Sequence, residues 1–139
     1  MNFNTIPAMT PIEDGEWRLE SPAIYATRAG EIIVAPAGFI TDLASIPRIF
    51  HALIPVNGRH RLAAIVHDYL FVIQDRPRAD VDNIFLEAME DSGVGWVTRW
   101  AMYLAVRAGG WLPWGKNERA IAGNRAKYFA ENGLVIERK

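Results

Sequence analysis

The sequence predicts a single α+β domain: a small antiparallel sheet drawn from the N-terminal third, packed on four to five helices. Three observations carry that expectation. Between Glu16 and Ile40, short runs of β-branched and aromatic residues are bounded by proline and glycine. From about Ser45 onward the apolar period lengthens to between three and four residues, which is the helical spacing. Finally, 139 residues with 50% hydrophobic and 22% charged composition suit one compact core.

Taken in order, residues 1–15 read as an N-terminal arm. Residues 16–41 read as the sheet, with strands at EWRLE, AIYAT and EIIVAP and a turn at Arg28-Ala29-Gly30. Residues 45–131 form the helical part. Ser45 with Pro47 in the first turn starts a short helix that ends before Pro55-Val56-Asn57-Gly58. A second helix runs from Arg59 to about Ile73, with Leu62, Ile65, Val66, Tyr69 and Leu70 as its apolar stripe, and a third from about Arg78 to Asp91. The tryptophan-rich stretch Val94 to Pro113, apolar on nearly every side, is expected to be the central helix, giving a tryptophan-rich core. Past Gly109-Gly110, Trp111 and Trp114 fall in a loop or clasp. A basic helix then spans Asn117 to Glu131, and residues 134–138 form a terminal strand that can join the sheet.

Composition excludes several chemistries. The chain has no cysteine, so disulfides, thiolate metal sites and cysteine nucleophiles are out. Net charge is −1, which gives no global pull toward nucleic acid or anionic lipid. The charge is uneven, however: −4 over residues 1–44, −2 over 45–97 and +5 over 98–139. No targeting segment and no membrane span are expected, because Arg99 and Arg107 interrupt the longest apolar run and a central arginine costs at least about 2.5 kcal/mol on insertion. No nucleotide-binding loop, H-E-x-x-H pair or G-x-S-x-G elbow is present.

The chemistry lies where ionisable residues interrupt apolar text. Asp42, Ser45 and Arg48 occupy TDLASIPR; His67 and Asp68 lie inside AAIVHDYLF; Arg78 and Asp80 open the third helix. An unpaired buried polar group costs roughly 1–3 kcal/mol, so these residues are expected to meet in one buried cluster. As a structural device, Asp42 caps the first helix, an arginine bridges the carboxylates and His67 ties helix to loop. As a functional device, His67, Asp68, Asp80 and Asp42 are ligands for a divalent metal such as zinc or manganese, which would activate water for hydrolysis. Adjacent residues on a helix point about 100° apart, so His67 and Asp68 share one metal only along the edge between their faces. His60 lies seven residues before His67, roughly 10 Å along a helix, and with His51 counts as a surface residue. A nucleophilic Ser45 activated by His67 ranks below these.

The ordered set GFITDLASIPR, AAIVHDYLF, RPRADVDNIFLEAME and the apolar helix ending in AVRAGG resembles the uncharacterised phage and prophage family known as domain of unknown function 1353. The resemblance covers about Ala35 to Gly110. It implies a protein encoded by a tailed bacteriophage or prophage, and it singles out Asp42, Ser45, Pro47, Arg48, His67, Asp68, Arg78 and Asp80. It supplies no mechanism.

Two functions are therefore expected. The first is a phage structural or assembly protein, made in the host cytoplasm and incorporated in the virion or tail, whose partners are phage structural proteins or further copies of itself. The second is a small metal-dependent hydrolase with Asp42, Ser45, Arg48, His67, Asp68, Arg78 and Asp80 as its site and an arginine holding an anionic substrate.

Overall fold

The computed structural model describes residues 4–41 and 60–134. The short helix expected from Ser45, and all of the terminal strand beyond Leu134, lie outside the described residues.

The described fold is α+β. Strand β1 (Met9–Pro11) is followed by a 3-10 turn at Glu13–Gly15, then β2 (Trp17–Leu19), β3 (Ala23–Ala26), β4 (Ile32–Ala35) and β5 (Ile40–Thr41). These form two antiparallel sheets rather than one. The first has the order β1-β2-β5, with Thr10 opposite Arg18 and Arg18 opposite Ile40. The second is the β3-β4 hairpin, in register at Tyr25 opposite Ile33. The N-terminal arm does more than the sequence suggested. It supplies β1, and Thr5 bridges to Ile24 on the free edge of β3, so the arm covers a strand edge that would otherwise expose unpaired backbone groups.

The hairpin follows the two-residue period of its sequence. Ala23, Tyr25, Ile33 and Ala35 are buried, whereas Ile32 and Val34 face outward. Its tip turns through Gly30 at φ +94°, a conformation that costs a glycine little.

Helix α1 (His60–Ile73) is the centre of the molecule. Every residue from Leu62 to His67 is buried, as are Leu70, Phe71 and Val72. One side of α1 meets the β3-β4 hairpin and another meets α2 (Arg78–Asp91), which contributes Val81, Phe85, Ala88 and Met89 to the core. Ala63 and Ala64 let these neighbours approach closely, as a helix surrounded on several sides requires.

Helix α3 (Trp96–Gly109) therefore does not hold the central place expected of it. Only Met102 and Val106 of this helix are buried, and Trp96, Val97, Trp100 and Leu104 are exposed. The core contains no tryptophan among the described buried residues, which corrects the expectation of a tryptophan-rich centre. An all-round apolar helix need not be enclosed: one stripe of α3, through Met102 and Val106, meets the core, and its other apolar residues face outward.

After Gly110 the chain continues as α4 (Trp111–Gly123) and α5 (Arg125–Glu131). Trp111 and Trp114 are thus helical rather than in a loop, and Trp114 packs edge-on against Phe71 at a centroid distance of 5.0 Å. The single basic helix expected over 117–131 is broken at Asn124, whose backbone is extended (φ −153°, ψ 92°) and whose side chain accepts a hydrogen bond from the Lys127 amide. The turn after α5 lies beside the first sheet, where the Ile40 amide donates to the Asn132 carbonyl at 3.0 Å.

Candidate functional site

A histidine in the middle of the most buried helix must find a partner, and it does so on α2. His67 Nε2 lies 2.7 Å from Asp82 Oδ1, and both side chains are enclosed, Asp82 completely. The other oxygen, Asp82 Oδ2, accepts from Arg107 at 3.0 Å and from Arg78 at 3.4 Å. Arg78 also donates to the backbone carbonyls of Val106 and Arg107 at 3.2 and 3.4 Å. It thereby joins α2 to the last turn of α3, where cations are favoured by the helix dipole. A buried carboxylate facing one imidazole and two guanidinium groups is the arrangement that offsets the cost of removing such a charge from water.

Burial holds the His67 imidazole below its ordinary pKa, more strongly than the Asp82 contact raises it; the Arg78 charge adds to the lowering. A neutral ring with Asp82 as acceptor carries its proton on Nε2. Nδ1 is then a lone-pair acceptor, and it is buried with no hydrogen-bond partner among the described residues. The ring lies between Phe71 and Phe85, at centroid distances of 5.0 and 4.5 Å.

His67 also forms part of the wall of a cleft of about 390 Å³ lined by α1, the α3–α4 junction, the end of α5 and the first sheet. Its polar lining includes Asp68, Lys116, Asn117 and Glu131. Asp68 accepts a short hydrogen bond from the buried Thr41 hydroxyl, which ties α1 to β5. Nearby, the buried Tyr128 hydroxyl donates to the Val72 carbonyl at 3.0 Å; burial first, and then the Asp68 charge, push its pKa up to about 12. Gly110 gives this wall its shape, since a Cβ there would meet the Val106 carbonyl and come within 3.1 Å of Arg78.

The structure brings three of the expected residues to this region: His67 and Arg78 through Asp82, and Asp68 at the cavity. Asp80 is exposed on the first turn of α2. Residues two positions apart on a helix point about 160° apart, so Asp80 and Asp82 cannot serve the same face. Asp82 was the residue to choose, because it falls in the buried stripe with Val81, Phe85 and Met89. Arg107, read from sequence only as an interruption of an apolar run, completes the network. Asp42, Ser45 and Arg48 lie outside the described residues, as does His51. Among the described residues no group of three or more histidine, aspartate or glutamate side chains is gathered as a metal site would need.

Fold and site define a small α+β domain with a buried histidine–aspartate–arginine network at a cavity wall. The chain belongs to the family described as Protein of unknown function (DUF1353), whose model matches residues 17–106, from the start of β2 to the last turn of α3. That span contains His67, Arg78 and Asp82; Arg107 follows immediately after it. No curated protein and no solved structure matches the chain. Among the described residues no helix is long and apolar enough to cross a membrane.

Proposed function

We propose that the cavity is a catalytic site of hydrolytic type, with His67 as general base. The observation that carries this reading is the asymmetry of the imidazole: Nε2 is fixed on Asp82 at 2.7 Å, while Nδ1 has no partner among the described residues. A histidine kept solely to tie elements together gains by satisfying both nitrogens, since an unmade buried hydrogen bond costs roughly 1–3 kcal/mol. A neutral ring with one free lone pair is the form a base requires.

In this reading, water or a substrate hydroxyl that displaces the groups covering Nδ1 gives its proton to that nitrogen as its oxygen adds to an acyl or phosphoryl centre. Asp82 stabilises the resulting imidazolium through the Nε2–H bond, and Arg78 and Arg107 keep Asp82 in place. The leaving group then recovers the proton from His67. Lys116, which also lines the cavity, offers a positive charge for an anionic substrate or a developing oxyanion.

The test is a hydrolysis screen on carboxylic esters, phosphate monoesters, phosphate diesters and short peptides. Turnover of one class should fall by roughly 10²–10⁴-fold in His67→Gln and Asp82→Asn at unchanged fold. Equal turnover in the variants, or none in the native chain across the four classes, contradicts the proposal. The assembly role read from the sequence has separate support in the outward face of α3.

A further inference from the structure

The side of α3 that faces away from the core is apolar. Met102 and Val106 point inward, and the directions opposite to them belong to Val97, Trp100, Ala101, Leu104 and Ala108, with Trp96 at the border. The one charged residue near this face, Arg107, turns its guanidinium inward to Asp82. The apolar run continues past Gly110, whose amide bonds the Val106 carbonyl to close α3 and whose carbonyl accepts from the Trp114 amide to open α4. Trp111 and Leu112, both exposed, follow on the first turn of α4.

Six large residues of this stripe (Trp96, Val97, Trp100, Leu104, Trp111 and Leu112) are between 44% and 68% exposed. With an aromatic side chain presenting about 150–250 Å² and aliphatic ones less, their exposed parts sum to roughly 700 Å². A monomer ordinarily leaves its largest apolar patch at about 300–600 Å², whereas one side of a standard stable interface covers about 800 Å². Tryptophan enrichment with charge depletion is the composition of an interface centre. A lipid-surface helix would instead set basic residues beside its apolar stripe.

The order of residues selects the occupant. Apolar positions are symmetric about Leu104: Trp100 and Ala108 lie four residues to either side, Val97 and Trp111 seven. In an antiparallel pair of α3 helices crossing at Leu104, Trp100 of each copy faces Ala108 of the other. Large side chains thus meet small ones, as self-complementary packing about a two-fold axis requires. We propose that the outward face of α3 is a homodimer interface, with Leu104 of the two copies meeting on the two-fold axis.

The test uses sedimentation equilibrium and single-cysteine crosslinking, which is clean because the native chain contains no cysteine. The native chain should sediment at twice its 15.6 kDa mass. Leu104→Glu, on an exposed position, should halve that mass while leaving the far-ultraviolet circular dichroism spectrum unchanged. Under mild oxidation Leu104→Cys should form a disulfide-linked dimer, and Ala79→Cys, exposed on α2, should not. A native monomer throughout the micromolar range overturns the proposal. So does a dimer that survives Leu104→Glu, or that crosslinks no better through position 104 than through 79. A monomer that binds phosphatidylglycerol vesicles with a blue shift of its tryptophan emission also overturns it, in favour of a lipid surface.

Discussion

His67 and Asp82, fifteen residues apart in the chain and on different helices, share a 2.7 Å contact that no solvent reaches. Asp82 is in turn the common acceptor for Arg78 and Arg107, so one carboxylate joins α1, α2 and α3. Stability and the proposed chemistry both depend on that junction.

Removing the carboxylate should therefore be costly. Asp82→Ala leaves two guanidinium groups and an imidazole facing a void, and loss of one partner from such a buried set costs about 3–5 kcal/mol. Asp80→Ala, two residues earlier and exposed, should cost under about 1 kcal/mol, chiefly through the lost negative charge in the first turn of α2. Chemical denaturation of the two variants checks the contrast, and similar losses would place Asp80 in the network.

The lowered pKa of His67 sets a direction for the pH dependence of folding. The unfolded ring takes up a proton as pH falls below about 6.5, while the folded ring resists until a lower pH. The unfolded state then binds more protons, so stability is lost as pH drops through that window, at up to about 1.4 kcal/mol per pH unit. Above the unfolded value the contribution is flat. Denaturation midpoints from pH 7.5 downward should show the slope in the native chain, and His67→Gln should flatten it; an unchanged slope in the variant would assign it to other groups.

At the C-terminal end, Gly133 has φ +75°, and a Cβ there would run into the Gly38 carbonyl. Gly133→Ala combines left-handed strain with a backbone clash, and should destabilise by more than about 2 kcal/mol. Gly93→Ala has a similar φ of +82° but open space around it, so it should lose only the conformational part. Thermal unfolding of the pair separates the two causes.

Much of the architecture is legible in the sequence because it follows from local period. The hairpin is visible in AIYAT and EIIVAP, and α1 and α2 in the stripes Leu62–Leu70 and Val81–Met89. What period cannot reveal is the identity of a helix's neighbours. The pattern of α3 reads as an interior helix, since a face covered by core and a face awaiting a partner are equally apolar. The joining of His67 and Arg78 in one buried network was foreseeable, because a charge in apolar text must find a counter-group. Asp82 was missed in favour of Asp80 although helical phase distinguishes them. Thr41 gave no signal, because a hydroxyl at a strand end is ordinary, and its bond to Asp68 depends on how β5 meets α1.

The most direct measurement of the central claim is the protonation state of each His67 ring nitrogen, read by long-range nitrogen–proton correlation in a nitrogen-15-labelled sample at neutral pH. A neutral ring protonated on Nε2 and bare on Nδ1, with the Nε2 resonance moving in Asp82→Asn, is the predicted result. An imidazolium, or a ring carrying its proton on Nδ1, would contradict the arrangement on which the proposed base depends.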